Sequence, residues 1–551
     1  MKINKFNGLL ILSLLSGILT SCGNDDDSSP DGKATLRIFM NGGNDYEGKK
    51  KDSILKEIEN ITNVNLKIEG ATHNSDYYTS LNPMINTGDI PDIIFSVPSD
   101  TGKAYNNWVE QDIIYNIDDL LVEKPNEYPY IEALFKSEQY KNITYGDGAH
   151  TLIPLITSNS GWGIYYRTDW LINVGYYDLV DGKKVARTPT TIEEVEEVLR
   201  LFTTNDPDQN GKNDTYGISP FGETFYLNPL YHAFGVTPDY DLDSNNDPTY
   251  MYLTNEFKSF LTWFNKMYKN GYVDPQFATN KNSDDRTKFY EGKVGMLITN
   301  AENHVTWIGD AFDNANGLNE DGTSKFTFGP APVGTKNLGK EGASGFSDWG
   351  GWWGGYSISK DCKDPHAALR FLNFMYSPEG NKLRNYGIKG THYDEVDGKI
   401  IPNIANRNNE PNDTFVTNKD ANGNSIPNGY YKFGSAFCGN IVWDENNTSC
   451  HLLIVPEIIN TKYASLIELG VKYNTLSTSR LTNVTGFYSS YTTKMKKIVD
   501  ESNSYAINAI MGNKNLTSDY DALMNTIQTK TYDWNNVKKM IKEVASKAGI
   551  I

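Results

Sequence analysis

The sequence predicts an α/β protein with open, mostly parallel sheets divided between more than one domain. Three observations carry that expectation. Short apolar runs alternate with helical patterns over residues 35–97, and the alternation restarts near residue 160. Strand, helix and strand in succession are joined by right-handed crossovers, which lay the strands parallel. A chain of 551 residues also exceeds what one hydrophobic core serves. No internal repeat of roughly 20–50 residues is present, which argues against solenoids and propellers.

The elements follow in order. Lys2 and Lys5 precede the apolar run Leu9–Leu15, which is too short to span a bilayer and has the shape of a secretory leader. Leu19-Thr20-Ser21-Cys22 resembles a lipobox, where Cys22 receives a palmitate-type diacyl anchor and becomes the mature N-terminus. An ordinary leader that happens to contain a cysteine is the alternative. Residues 1–21 are therefore expected to be a signal peptide, and 22–33 the lipidated cysteine and a polar tether with no apolar face.

Thr35–Met40 reads as a buried strand ending in Asn41-Gly42-Gly43-Asn44. A helix over Ser53–Thr62 carries Ile54, Leu55, Ile58 and Ile61 at helical spacing. The strand Val64–Ile68, a helix over Tyr77–Asn86 and the strand Ile93–Val97 complete two βαβ units. Ligands of such sheets sit at the carboxyl ends of strands, here Asn41–Asn44 and Ser96–Asp100.

In the second stretch, Gly163–Tyr166 reads as a strand and Pro189–Phe202 as a helix. Thr191 and Glu194 are spaced as a capping box, and Ile192, Val195, Val198, Leu199 and Phe202 line one face. Further helices are expected over Glu256–Lys269 and after Asp364-Pro365, the latter with Leu369, Leu372 and Met375 inward. The last hundred or so residues read as helices with polar connections.

A net charge of −18 gives no electrostatic footprint for nucleic acid. Apart from Cys22, the cysteines are Cys362, Cys438 and Cys450; three cannot all pair, and the spacing leaves a Cys438–Cys450 bridge open. Catalytic signals are weak. Gly43–Lys49 and Gly334–Lys340 have phosphate-loop spacing, but Lys50 and Glu341 stand where Ser or Thr would hold magnesium. The histidines are scattered and no Gly-x-Ser-x-Gly occurs. A glycosidase carboxylate pair stays open among the many acids.

Two features carry chemistry. Asp206, Asp208, Asn210 and Asp214 stand at positions 1, 3, 5 and 9 of an EF-hand-like loop, with Gly211 at 6 and the Lys212 carbonyl at 7. Hard oxygens at that spacing suit Ca²⁺ in a structural role, although Gly217 replaces the bidentate glutamate at 12. Secondly, Trp349, Trp352 and Trp353 are packed among glycines over Asp348–Tyr356, and Trp162, Tyr165, Tyr166 and Trp307 add rings near other strand ends. Indole faces suit the apolar faces of sugar rings.

Ile85–Asp92, Tyr165–Leu171, Pro189–Glu194, Tyr268–Pro275 and Tyr376–Gly380 follow the lipobox and tether in this order. Together they resemble the extracellular solute-binding proteins of the maltose-binding-like family, in its long lipoprotein branch. The resemblance implies a two-lobed periplasmic-binding-protein fold of type II, hinged, with residues 34–155 plus 348–400 as lobe one and 156–347 plus 401–551 as lobe two. It implies a monomeric, non-enzymatic receptor on the extracytoplasmic side of the cell membrane, held only by its lipid, delivering an oligosaccharide to an ABC permease. Asn41, Asn44, Trp349, Trp352 and Trp353 are expected on one side of the cleft, and Trp162, Tyr165 and Trp307 on the other. The calcium-like loop is similar to a structural one in alginate-binding relatives, onto which Asp206, Asp208, Asn210, Lys212 and Asp214 carry over; Thr215 stands where that pattern has an acid. A surface glycan-processing enzyme, or a glycan-capture lipoprotein without a permease, is the alternative, and a peptide ligand stays open.

Overall fold

The structure, a computed structural model, describes residues 32–551 except 72–74, 98–104, 138–139, 142, 146–147, 157–161, 238, 282, 301–304, 348–351, 398, 412–413, 416–417, 420–424, 428–430, 436, 438–440, 444–449, 453–462, 474–475, 478 and 482–488. The signal peptide, Cys22, Trp349 and Cys438 lie outside the described residues.

The strands of the two main sheets are β1 (Ala34–Asn41), β2 (Val64–Ala71), β3 (Ile93–Ser96), β4 (Ile153–Ile156), β5 (Trp162–Arg167), β6 (Tyr216–Ile218), β7 (Val294–Asn300), β8 (Phe326–Gly329) and β9 (Trp352–Ile358). The first sheet has the order β2-β1-β3-β9-β4 and the second β8-β5-β7-β6. β1 pairs in parallel with β2 and β3, while β9 runs antiparallel to both β3 and β4. In the second sheet β5 is antiparallel to β7 and β8, and β7 is parallel to β6. Each sheet is thus mixed, not mostly parallel in its pairings as expected, because one reversed strand lies between strands that share a direction.

The reversal has a topological cause. The chain leaves the first sheet at Ile156 and opens the second at Trp162; it returns after Ser347 and re-enters at Trp352. A strand entered directly from the other lobe starts at the carboxyl edge of its new sheet, so it runs against its neighbours. Gly354 and Gly355 let β9 fit between β3 and β4: a Cβ at Gly355 would lie 2.4 Å from the Ile153 carbonyl oxygen, and one at Gly354 would lie 2.7 Å from that of Ser96.

The main helices are α1 (Ser53–Thr62), α2 (Ile192–Thr204), α3 (Asn228–His232), α4 (Asn255–Lys269), α5 (Val305–Asn316), α6 (Pro365–Tyr376), α7 (Pro378–Tyr386) and α8 (Ser489–Ile510). α1 is capped by the Asp52 carboxylate, which accepts from Leu55 N–H at 2.8 Å. It buries Ile54, Leu55 and Ile58, but Ile61 faces solvent and Thr62 takes the inward position. In α2 the Thr191 hydroxyl accepts from Glu194 N–H. Glu194 reaches back one residue further than the box predicts, to the N–H of Thr190 at 2.8 Å.

Two large cores follow. One joins Leu36, Ile38, Ile54, Ile58, Ile94 and Ile153 with Leu369, Leu372 and Met375 of α6. The other packs Ile164, Leu199 and Phe202 against Phe260, Phe264, Ile498 and Ile541. One expected boundary is corrected here. Phe415, Tyr431, Phe433 and Phe437, assigned by the sequence to lobe two within 401–551, complete the first core, and the Tyr431 hydroxyl donates to Asp52 at 3.0 Å. The chain crosses a third time only between Phe437 and Tyr463, whose ring packs beneath the second sheet.

Candidate functional site

The carboxyl edges of the two sheets meet the crossing segments, so the residues there are candidates for a cleft. On the first lobe β1 ends at half-buried Asn41, and Gly42 takes a left-handed turn with φ 71° while its N–H donates to Ala71 carbonyl oxygen. Gly43 lies on the Glu69 backbone, where a Cβ would come within 2.0 Å of the carbonyl oxygen; this close packing, not a phosphate, explains the glycine pair. Asn44 is exposed in the turn Gly43–Asp45. Trp352 and Trp353 open β9 and Trp307 stands in the first turn of α5, but their side chains lie outside the described residues, as does Trp349 entirely.

On the second lobe the expected residues part company. Trp162, Ile164 and Tyr166 point to one face of β5, and Tyr165 points to the other. Tyr165 is fully buried, with its ring 4.3 Å from that of Phe328 and 5.8 Å from that of Phe326, so it is core and not a ligand contact. β5 is apolar on both faces, and its alternation therefore carries no signal for which ring meets a ligand. Trp162 sits at the cleft end, paired with Asn300, and is only 5% exposed. Tyr226 meets its ring edge-on at 4.7 Å, and Phe221 packs on Tyr226 at 4.6 Å.

Phe221 and Tyr226 went unread in the sequence. They follow the three-residue strand β6, too short to show a period; the usable signal was an aromatic pair placed just beyond a strand end. Their loop is held firmly. Asn280 Nδ2 donates to Ser219 Oγ and the Pro220 carbonyl, each at 2.8 Å, and Ser219 Oγ donates to Asp274 at 2.7 Å. Lys288 Nζ lies 2.6 Å from Asp274. Burial pushes the Asp274 carboxyl up, but hydrogen bonds from Lys288 and Ser219 outweigh it and hold the group below the usual carboxylate range. Further along, Thr224 N–H donates to Asn503 of α8 at 3.1 Å.

The acidic loop after α2 is a tight turn. Asp206 accepts from the N–H groups of Asn210 and Gly211, both at 3.0 Å. The Asn210 side-chain amide donates to Asp208 at 2.7 Å and to Asp214 at 3.1 Å, drawing those carboxylates together. Lys212 N–H donates to Asn210 Oδ1 at 2.8 Å. Desolvation raises the Asp208 carboxyl, and the neighbouring Asp206 and Asp214 add to the rise. Among the described residues no group of three or more His, Cys, Asp and Glu side chains is placed to hold a metal ion. The donor set is nevertheless one of hard oxygens whose mutual repulsion a divalent cation relieves. Thr215 turns away to donate to the Phe202 carbonyl, and Gly217 packs on Leu199, so positions 10 and 12 supply no ligand.

One buried cluster bears on catalysis. Ser53, His392 and Glu410 meet beside α1, with Glu410 3.1 Å from His392 Nε2. Ile388 N–H donates to His392 Nδ1 at 2.9 Å, so the imidazole proton sits on Nε2 and points at the carboxylate. That nitrogen cannot take a proton from Ser53, and the cluster ties the 388–410 segment to α1 without a nucleophile.

Residues 44–382 match the family described as bacterial extracellular solute-binding protein. The chain is 26% identical over 410 residues to the polygalacturonan/rhamnogalacturonan-binding protein YtcQ of Bacillus subtilis, covering 72% of this chain and 76% of that protein. It is 25% identical over 405 residues to lipoprotein LipO of the same organism, covering 72% and 76%. The fold superposes on Streptococcus pneumoniae FusA, an ABC-transporter substrate-binding protein solved with kestose, at a TM-score of 0.59 and 16% identity over 94% of this chain and 99% of that one. The two-lobed architecture and the match over residues 44–382 lead to one conclusion: this chain belongs to the bacterial extracellular solute-binding protein family, whose members bind solutes and are not enzymes.

Proposed function

We propose that the protein captures an oligosaccharide between its lobes and hands it to an ABC permease, while a diacyl group on Cys22 holds it at the outer face of the cell membrane. The observation that carries this reading is the pair of reversed strands, β5 and β9, which start at the carboxyl edges of their sheets and bring aromatic residues to both sides of the crossing. A ligand touching both lobes stabilises the closed state by its differential contacts. The names of YtcQ and FusA support a carbohydrate, and that of LipO supports the anchor. Lobe one comprises residues 34–155 and 348 to at least 443, where Ile441–Trp443 packs on α7, and lobe two residues 156–347 and the chain from Tyr463 onward. The protein acts as a monomer.

A thermal-shift screen of the chain against oligosaccharides, followed by chromatography of each stabilising ligand, tests the reading. The expected result is a raised midpoint and a ligand recovered intact. A cleaved ligand overturns it in favour of a glycan-processing enzyme.

Ca²⁺ is assigned to the loop of Asp206, Asp208, Asn210 and Asp214 with the Lys212 carbonyl, where it pins the turn between α2 and β6. FusA has also been solved as an EF-hand mutant, which supports the assignment. Calcium at about 100 times its Kd stabilises a folded state by about 2.7 kcal/mol, equivalent to a midpoint rise of roughly 5 °C in a unit of this size. Chelator is expected to remove that rise, and Asp206→Asn with Asp208→Asn to abolish it. A midpoint indifferent to calcium removes the assignment.

A further inference from the structure

We propose that Phe221 and Tyr226 are the rings a sugar meets on the second lobe, that Trp162 backs them from inside, and that Glu223 between them selects neutral oligosaccharides over uronic-acid oligomers. The inference rests on the oligosaccharide reading and names the ligand class of the same site.

Trp162, with 5% of its surface accessible, is too deeply set to offer a face to a ligand, whereas Phe221 and Tyr226 are each half-exposed. The edge-on contact of Tyr226 with Trp162, at an interplanar angle of 85°, fixes the tilt of the outer ring. The contact of Phe221 extends the apolar surface by a second ring at 57°. Two half-exposed rings at an angle form a corner that accepts the apolar faces of consecutive sugar units. Hydrogen bonds to Asn280, Asp274 and Asn503 anchor both ends of the loop, so little ordering is left for the ligand to impose.

Charge supplies the selectivity. Glu223 is exposed in the same loop, and its carbonyl accepts from Tyr226 N–H. A carboxylate two residues from Phe221 and three from Tyr226 in the same loop accepts from paired sugar hydroxyls but repels a uronate. Asp500 of α8 stands near enough to reinforce that negative field and Lys496 to oppose it, while desolvation pushes the Glu223 carboxyl up. On the facing lobe the turn at the end of β1 exposes Asp45 and Glu47 beside Lys49 and Lys50, so it adds no net positive field for a polyanion.

Calorimetric titration of the full chain with neutral fructo-, malto- and xylo-oligosaccharides and with an oligogalacturonate tests the proposal. A neutral oligosaccharide is expected to bind and the oligogalacturonate to bind at least tenfold more weakly. Phe221→Ala and Tyr226→Ala should each weaken the neutral ligand by tenfold or more at an unchanged melting midpoint, while Tyr226→Phe, which keeps the ring, should stay within threefold. Glu223→Gln should narrow the gap between the two ligand classes. Preference for the oligogalacturonate, ring variants within twofold of the parent, or a gap unmoved in Glu223→Gln would each overturn the proposal while leaving the oligosaccharide reading intact. Binding of neither class would sink that reading itself.

Discussion

Gly380→Ala is expected to destabilise the first lobe by about 3 kcal/mol, although alanine in a helix interior is normally the better residue by about 1 kcal/mol. Gly380 lies in the first turn of α7, where the chain turns sharply out of α6. Ser377 is the hinge of that turn: its hydroxyl accepts from Gly380 N–H at 2.9 Å and donates to Phe374 carbonyl oxygen at 2.7 Å. A Cβ on Gly380 would stand 1.9 Å from the same Phe374 oxygen. The obstacle is backbone at the end of a packed helix, so it cannot swing aside as a side chain could. One turn on, the fully buried Arg384 donates through Nε to Met375 carbonyl oxygen at 2.8 Å and through its outer nitrogen to Asn381 at 2.7 Å. Displacement of α7 would stretch the bond from this buried cation to Met375, which lies in α6. Urea unfolding of the parent and the variant checks the prediction, and Ser377→Ala, expected to cost about 1 kcal/mol through the lost cap, sets the scale. A Gly380→Ala protein as stable as the parent would refute this account of the junction.

The second large effect is acid lability from a histidine in the second lobe. His232, at the end of α3, is 2% exposed and donates through Nδ1 to Val236 carbonyl oxygen at 2.7 Å. Burial disfavours the imidazolium and lowers the group to about 4, against 6.5 in the unfolded chain. The unfolded state therefore takes up its proton first as pH falls, so this histidine's contribution is complete above about pH 6.5 and is lost between there and pH 4. A shift of that size corresponds to about 3 kcal/mol. His392, lowered by burial although Glu410 opposes the shift, acts in the same sense. Desolvation raises Asp52, which acts in the opposite sense, because protonation relieves it as pH falls. The comparison that isolates His232 is with His232→Asn, whose amide can keep the bond to Val236. Between pH 6.5 and 4 the parent should lose about 3 kcal/mol relative to that variant. Parallel stability curves for the two proteins would rule out the buried neutral imidazole as the cause.

Much of the fold was legible in the residues. α1 coincides with the predicted Ser53–Thr62 because Asp52 is a capping residue and the apolar spacing is helical. β1 and β2 extend only slightly beyond their apolar runs. α6 buries Leu369, Leu372 and Met375 as their spacing requires. Strand-end reasoning named Asn41, Trp162 and Tyr165; Asn41 stands half-buried at the end of β1, Trp162 and Tyr165 are buried, and the half-exposed rings of Tyr226 and Phe221, packed outward from Trp162, were passed over. Tyr165 and Tyr166 are neighbours in a strand apolar on both faces, and the face each takes is set by what packs above and below the sheet.

The sequence by itself determined the alternation of strands and helices, the apolar faces of α2 and α6, the turn chemistry of the acidic loop and the family to which the chain belongs. These depend on contacts between residues a few positions apart, which propensity and periodicity encode directly. Only the tertiary structure decided the reversed directions of β5 and β9, the return of residues 401–437 to the first lobe, the burial of Tyr165 and the corner made by Phe221 and Tyr226. Each of these rests on partners far away in the chain: β9 lies between β3 and β4, and Tyr431 reaches Asp52 across 379 residues. An aromatic residue is equally at home in a core and at a binding edge, and only the surface left over once both cores have closed distinguishes the two.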